Sequence, residues 1–88
     1  MRVFTTNRFE HRLKVFLKSH PDLTTKVRRI MKDISIDPFA SHLKTHKLGG
    51  SLEECRASNI TYDYKVVFIL DGDSICFVDI GTHDEVYR

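Results

Sequence analysis

The pattern of apolar and polar residues divides the chain into a helical first half and a strand-like second half. In the first half, apolar side chains recur at helical spacing in two segments, which predicts two amphipathic helices joined as a hairpin. The first helix follows a possible cap at Thr6 or Asn7 and continues to about Ser19. His20-Pro21 ends it, because the residue before a proline disfavours helical backbone angles.

The second helix is expected to begin at Asp22 or Thr24 and to end before Asp37-Pro38, a typical helix stop. Its apolar stripe comprises Leu23, Val27, Ile30, Met31 and Ile34. Residues 39–50 are rich in His, Lys and Gly and are expected to form a linker that ends at the turn signal Gly49-Gly50.

Strand-like alternation dominates the rest of the chain. Residues 2–5, ahead of the first helix, are β-prone, residues 52–59 could form a second strand, and residues 62–70 alternate strongly. A hairpin turn at Asp71-Gly72-Asp73 returns the chain as a strand over residues 74–81, which is expected inside the sheet. The order β-α-α-β-β-β predicts an α+β fold, with a twisted, mainly antiparallel sheet and the helical hairpin packed on one face.

Size and composition exclude several classes of protein. A chain of 88 residues is expected to form a single domain over residues 1–88, with too small a core for a deep cofactor pocket. The longest apolar run, residues 66–70, is far too short to cross a membrane, and the first residues lack the apolar core of a signal peptide. Cys55 and Cys76 are too few for a disulfide scaffold or a zinc site. We therefore expect a cytoplasmic protein without a membrane partner.

The formal net charge of +2 hides a division of charge along the chain. Residues 1–50 contain 11 Lys and Arg but 4 Asp and Glu, whereas residues 51–88 contain 3 and 8. The basic half can attract a polyanion, although basic helices are often only solvated surfaces. His42 and His46 have the spacing of a helical metal site, but the lysines beside them oppose cation binding, so no metal is expected.

Two histidines are candidates for proton transfer, since an imidazole titrates near neutral pH. His46 lies in the basic segment of residues 42–47, and His83 follows the last predicted strand, close to Tyr87 and Arg88. Metal-free cleavage of an RNA phosphodiester needs a base for the 2′-hydroxyl, an acid for the leaving oxygen and donors for the phosphate. Two histidines, a tyrosine and several cations supply these groups.

Three strings in this order resemble the RelE/ParE superfamily of bacterial toxins from type II toxin–antitoxin systems, and its YafQ-like branch of mRNA interferases in particular. They are residues 45–52 (THKLGGSL), 62–68 (YDYKVVF) and 79–87 (DIGTHDEVY). The resemblance covers essentially the whole chain and implies a RelE-like fold. It also implies a toxin that enters the ribosomal A site and cleaves mRNA without a cofactor. A cognate antitoxin would bind and neutralise it in a toxin–antitoxin hetero-oligomer.

The resemblance also implies roles for four residues. His46 and His83 match motif histidines, Asp63 matches an acidic position and Tyr87 a terminal aromatic. The resulting hypothesis makes His46 the base and His83 the acid. Asp63 would orient one of them, and Tyr87 would stack on a nucleobase or donate to the phosphate. Each residue also has a simpler interpretation, as a polar surface residue, a helix cap, an exposed carboxylate or an aromatic packed on the sheet.

Five cations are candidates for holding the RNA backbone and the transition-state charge: Lys44, Lys47, Arg56, Lys65 and Arg88. Lys65 occupies the place where RelE-like relatives commonly carry a strand arginine, although lysine lacks the bidentate fork of arginine. Arg56 could instead form an ion pair on the sheet surface. Lys44 and Lys47 are expected to be solvated in the free protein.

Two departures from the family pattern bear on the hypothesis. Asn59 stands where several YafQ-like proteins carry another histidine, and Tyr64 stands where tryptophan is frequent. Asparagine can form hydrogen bonds but cannot exchange a proton near neutral pH. Two rival functions stay open. A ParE-like gyrase inhibitor would share the fold without needing two positioned histidines, and a degenerate toxin would only bind its antitoxin.

Overall fold

The computed structural model describes residues 1–52 and 54–87. Its helices and strands, in chain order, are β1 (Arg2–Thr5), α1 (Asn7–Ser19), α2 (Thr24–Ile36), β2 (His46–Lys47), β3 (Arg56–Asn59), β4 (Tyr64–Asp71), β5 (Ser74–Thr82) and α3 (His83–Val86). Short 3-10 turns occupy Pro21–Leu23, Ser41–Leu43 and Gly50–Leu52. Within the described residues, no helix is both long and apolar enough to cross a membrane.

The helical hairpin forms where the apolar stripes predict it. Thr6 caps α1, its hydroxyl accepting a hydrogen bond from the Phe9 N–H at 3.0 Å. α1 ends at Ser19, and a single 3-10 turn leads into α2, which ends before Asp37. Both stripes face the sheet and form the larger core with it. Its fully or nearly fully buried members include Phe9, Phe16, Val27, Ile30, Ile34, Val66, Phe68, Ile75, Phe77 and Ile80.

The five strands form one sheet in the order β1-β5-β4-β3-β2. All neighbouring strands are antiparallel except β1 and β5, which run parallel, so the predicted α+β fold with a mainly antiparallel sheet is confirmed. The predicted order lacked β2 and α3, which have only two and four residues. The strand expected over residues 52–59 is shorter, because Leu52 closes a 3-10 turn and pairing begins at Arg56. Likewise β4 begins at Tyr64 rather than at residue 62.

The face of the sheet away from the helical hairpin, here called the second face, has a smaller core of its own. Its buried members are Leu48, Cys55, Ala57, Val67 and Val86. An irregularity in the β4–β5 pairing leaves Val78 without a register partner. Val78 and Asp79 therefore both border the second face, although they are consecutive. This core positions the ends of the chain's last elements, because Val86 belongs to α3 and Leu48 directly follows β2.

Ion pairs connect α1 to the end of β5 and to α3. Arg12 Nε lies 3.2 Å from Asp79 Oδ1, and Arg12 Nη2 lies 3.8 Å from Glu85 Oε2. Glu85 also accepts a hydrogen bond from the Thr82 N–H at 2.8 Å, while the Thr82 hydroxyl accepts one from the Glu85 N–H. This reciprocal pair is a capping box, and it begins α3. Arg12, Asp79 and Glu85 are called the Arg12 clasp below.

Gly81 leaves space for the Arg12 clasp. A Cβ atom at residue 81 would lie 2.6 Å from Glu85 Oε1 and 2.9 Å from Arg12 Nη2. We expect Gly81→Ala to push Glu85 out of the capping box and to lower the free energy of unfolding by about 1 kcal/mol, measured by urea denaturation. Gly49→Ala is the matched control, because nothing lies within 4 Å of a Cβ there. Equal stabilities of the two variants would contradict this role of Gly81.

Candidate active site

Three aromatic side chains meet at the edge of the second core. His46 lies on β2, His83 is the first residue of α3, and Tyr87 directly follows α3. The Tyr87 ring stacks on the His83 imidazole, with ring centroids 4.0 Å apart and planes inclined by 23°. The Tyr87 hydroxyl forms a short hydrogen bond with His46 Nε2. Two imidazoles that are far apart in the sequence thus contact the same tyrosine.

The other nitrogen of His46 determines where the ring carries its proton. His46 Nδ1 lies 2.9 Å from the Lys44 carbonyl oxygen. A carbonyl can only accept a hydrogen bond, so Nδ1 is the donor and carries the proton. In the neutral ring Nε2 then has a free lone pair, which accepts from the Tyr87 hydroxyl. The nitrogen that faces Tyr87 is therefore the one able to take up a proton.

The loop before β2 is shaped by Lys44 and Thr45. Lys44 has φ 53°, the only positive value at a residue other than glycine in the described part of the chain. Thr45 Oγ1 donates to the Pro38 carbonyl oxygen at 2.6 Å and accepts from the Ser58 hydroxyl at 2.6 Å. The left-handed residue and these two bonds together turn the Lys44 carbonyl toward the His46 ring.

An open pocket of about 610 Å³ adjoins His83. Its lining consists of Tyr62, Asp63, Tyr64, Lys65, Thr82, His83 and Asp84. The Tyr64–Thr82 register pair brings the start of β4 next to the end of β5, and this pairing places Asp63 and His83 at one pocket. Among the described residues, the lining of this pocket includes Asp63 and His83 but not His46.

Lys65 is a buried cation in the lining of this pocket, with only 8% of its surface exposed. Its Nζ donates to Asn59 Oδ1 at 2.7 Å and to the Tyr62 carbonyl oxygen at 3.1 Å. An ammonium group taken out of water needs such acceptors. Asn59, one of the departures from the family pattern, therefore binds Lys65.

Two of the predicted cations lie on the other face of the sheet. In the β2–β3 register Lys47 is opposite Arg56, and His46 is opposite Ala57. Since side chains alternate along a strand, Lys47 and Arg56 project from the face opposite to His46. There the Arg56 guanidinium carbon lies 5.1 Å from the centre of the Phe39 ring. These two cations are therefore not beside the imidazoles.

Two predicted cations remain, Lys44 and Arg88. Lys44 is exposed and contacts His46 through its backbone carbonyl. Arg88 lies outside the described residues. Sequence reasoning missed the capping box of α3, although Thr82 and Glu85 have its T-x-x-E spacing. It also missed the Thr45–Ser58 bond, for which the sequence has no signal.

Burial sets the protonation of two groups near the second core. It raises the pKa of the Tyr87 hydroxyl, which therefore stays a protonated donor at neutral pH. Burial, followed by the charge of Glu54, raises the pKa of the Cys55 thiol, which disfavours the reactive thiolate.

His42 Nε2 lies 2.9 Å from Asp33 Oδ2. Residues 1–52 and 54–87 contain no group of three His, Cys, Asp or Glu side chains placed to hold a metal ion.

The sheet, the helical hairpin and the short terminal helix form the fold of RelE-type toxins. A family model described as "Bacterial toxin of type II toxin-antitoxin system, YafQ" matches residues 1–88. The chain therefore belongs to the YafQ family of type II toxins.

Solved structures share the fold over nearly their whole length. YafQ from Escherichia coli matches with a TM-score of 0.86 and 21% identity, covering 100% of both chains. The Escherichia coli DinJ–YafQ complex matches with a TM-score of 0.81 and 22% identity, also over 100% of both chains. A YoeB/ParE toxin from Agrobacterium tumefaciens has a TM-score of 0.80 and 16% identity, covering 94% of this chain and 99% of that one. No curated protein matches the chain by sequence.

The left-handed backbone of Lys44 can be tested by substitution. Lys44→Gly should preserve the Nδ1–H form of His46 and raise the free energy of unfolding by about 0.5–1 kcal/mol, because glycine adopts this conformation without strain. Lys44→Val should lower that free energy by more than about 1 kcal/mol. Lys47→Gly is the matched control, since it removes the same charge from a strand and should destabilise. Imidazole ¹⁵N NMR and urea denaturation report the two quantities, and a change of tautomer in Lys44→Gly would refute the assignment.

The raised pKa of Tyr87 predicts how stability depends on pH. The unfolded chain ionises its tyrosines near pH 10, before half-buried Tyr87 does in the folded protein, so stability from this group is complete below about pH 10 and is lost as pH rises further. Tyr87→Phe should remove that loss. At pH 8 it should cost about 1 kcal/mol, because it deletes the hydrogen bond to His46. Urea denaturation of both proteins between pH 8 and 11 measures the difference, with exposed Tyr62→Phe as the control at pH 8. A constant difference up to pH 11 would rule out this account.

Proposed function

We propose that the protein is a ribosome-dependent endoribonuclease that cleaves mRNA by metal-free acid–base catalysis and so inhibits translation. The proposal rests above all on the contacts of His46 and His83 with one half-buried tyrosine, beside a pocket open to solvent. Membership of a family of type II toxins agrees with a reaction that harms the cell which makes the protein. The reaction would take place in the cytoplasm, where ribosomes translate mRNA.

The reaction begins at the mRNA 2′-hydroxyl. His46 Nε2 takes its proton, and the 2′-oxygen forms a bond to the adjacent phosphorus. The bond between phosphorus and the 5′-oxygen breaks, and protonated His83 gives its proton to that leaving oxygen. The products are a 2′,3′-cyclic phosphate and a free 5′-hydroxyl. DNA lacks the attacking hydroxyl and is not cleaved in this way.

Tyr87 would change partners during this reaction. In the free protein its hydroxyl occupies the lone pair of His46 Nε2, which the 2′-hydroxyl of RNA must reach. Bound RNA therefore replaces this hydrogen bond. The Tyr87 hydroxyl, whose pKa is raised by burial, is protonated at neutral pH, so the released O–H can donate to a non-bridging phosphate oxygen and stabilise the charge that develops there.

The neighbouring groups have supporting roles in the proposal. Asp63 shares the pocket with His83 and would orient it or favour its protonated form. Lys65 adds a positive charge close to the phosphate, and exposed Lys44 would bind the RNA backbone. The cations on the opposite face, Lys47 and Arg56, would contact RNA only away from the cleaved bond.

An antitoxin protein is the second proposed partner. The family belongs to toxin–antitoxin systems, and DinJ is bound to YafQ in a solved complex of that fold. The basic first half of the chain favours an antitoxin segment with acidic side chains, which would neutralise the toxin in a hetero-oligomer.

Expression in bacteria tests the nuclease. The wild type should arrest growth and produce new mRNA ends in frame on stalled ribosomes. His46→Ala and His83→Ala should each reduce the cleavage rate at least about 100-fold, the scale of a lost acid or base. His11→Ala is the matched control, since this exposed histidine lies on α1, and it should behave as the wild type. Purified variants on programmed ribosomes give the rates.

Four results would be inconsistent with this proposal. Full cleavage by His46→Ala or His83→Ala would remove those imidazoles from the chemistry. Broken DNA with intact mRNA would indicate a gyrase inhibitor, and a harmless wild type would indicate a protein that only binds its antitoxin. Cleavage of mRNA with a 2′-deoxy substitution at the cut position would exclude the 2′-hydroxyl as nucleophile.

A further inference from the structure

Tyr62 has the most exposed side chain among the chain's large exposed hydrophobic residues, with 89% of its surface accessible. It lies between β3 and β4, in the connection formed by residues 60–63. An exposed tyrosine alone is ordinary on a protein surface. Its position is informative because Tyr62 lines the same pocket as His83.

The connection that carries Tyr62 is held by hydrogen bonds on both sides of it. The Thr61 hydroxyl accepts from the N–H groups of Asp63 and Tyr64, each at 3.2 Å. The N–H groups of Ile60 and Thr61 both donate to the Tyr64 carbonyl oxygen, at 2.9 and 3.3 Å. The backbone of Tyr62 is thus fixed, while its ring projects into solvent. A rigid aromatic platform loses little conformational freedom when a ligand stacks on it.

The charged groups around the Tyr62 ring favour a nucleobase at the ring and a phosphate farther from it. Lys65 Nζ lies 5.9 Å from the centre of the Tyr62 ring, and His83 lines the same pocket. Asp63 and Asp84 line it as well, and carboxylates repel phosphate but accept hydrogen bonds from the amino groups of nucleobases. The surroundings of Tyr62 therefore suit a base, with the phosphate closer to the imidazoles.

We propose that Tyr62 is the stacking platform for a nucleobase of the mRNA in the A site, and that it determines how tightly the substrate is held. This inference rests on the proposed nuclease function and adds a substrate subsite to it. The bases of single-stranded RNA are free to stack on aromatic side chains, and such contacts tolerate different bases. The ring takes no part in proton transfer.

Binding to ribosomes programmed with non-cleavable mRNA, carrying 2′-O-methyl groups across the A-site codon, tests the inference. Tyr62→Ala should raise the dissociation constant about 5- to 100-fold, the range expected for one lost stacking contact. Tyr62→Phe should bind as the wild type does, since stacking needs the ring and not the hydroxyl. Phe4→Ala is the matched control, because this exposed aromatic lies on β1, away from the pocket and from the cations proposed to bind RNA.

A double-mutant cycle makes the test specific for a base. Abasic nucleotides are introduced one at a time into the A-site codon. At one of these positions the abasic nucleotide should weaken binding of the wild type by the same factor as the Tyr62→Ala substitution does on intact mRNA. The same abasic nucleotide should not weaken binding of Tyr62→Ala any further. On cleavable mRNA, Tyr62→Ala should raise KM and leave kcat unchanged. Thermal unfolding should be unchanged, because the ring is not packed in either core.

Different failures have different meanings. If the wild type binds programmed ribosomes and Tyr62→Ala binds equally well, the platform is refuted and the nuclease proposal stands. If Tyr62→Ala weakens binding equally with every abasic RNA, the ring contacts the ribosome and not a base of the codon, which also refutes the platform. If the wild type does not distinguish programmed from empty ribosomes, both proposals are wrong.

Discussion

The attachment of α3 to the rest of the molecule is the constraint on which the candidate site depends. A helix of four residues has no stability of its own, because nucleation fixes several backbone angles for almost no hydrogen bonds. Three features stabilise α3 instead: the capping box of Thr82 and Glu85, the Arg12 clasp, and the burial of Val86 in the second core. Only with α3 held in this way do the rings of His83 and Tyr87 have fixed positions.

The two faces of the sheet differ in what they carry: one buries the larger core, and the other has the candidate site at its edge. The helical hairpin covers one face and buries the larger core, so most of the apolar burial lies away from the polar groups of the candidate site. The second face buries a few side chains and leaves the surrounding edge open, where His46 and Tyr87 meet. Short elements at this edge can therefore present polar groups to solvent, while their apolar neighbours keep them attached.

The sequence predicts the elements whose signal is carried by their own residues. α1, α2 and β4 have long apolar patterns, and all three were expected close to their observed bounds. β2 consists of two residues and exists only through its pairing with β3, so no local pattern could indicate it. The same contrast between local patterns and tertiary pairing applies to the candidate site. Convergence of His46 and His83 is a tertiary result, and strand alternation separates Lys47 from His46 although they are adjacent in the chain.

Asn59 shows how a departure from a family pattern can be explained by its neighbours. Considered alone, asparagine in place of histidine removes a group able to exchange protons. In the folded protein its side-chain oxygen accepts a hydrogen bond from the ammonium of Lys65, a residue with only 8% of its surface exposed, and a buried ammonium needs such acceptors. A protonated histidine at residue 59 would repel that ammonium. Asn59 and Lys65 are therefore best understood as one hydrogen-bonded pair, in which the asparagine satisfies a buried lysine that lines the pocket.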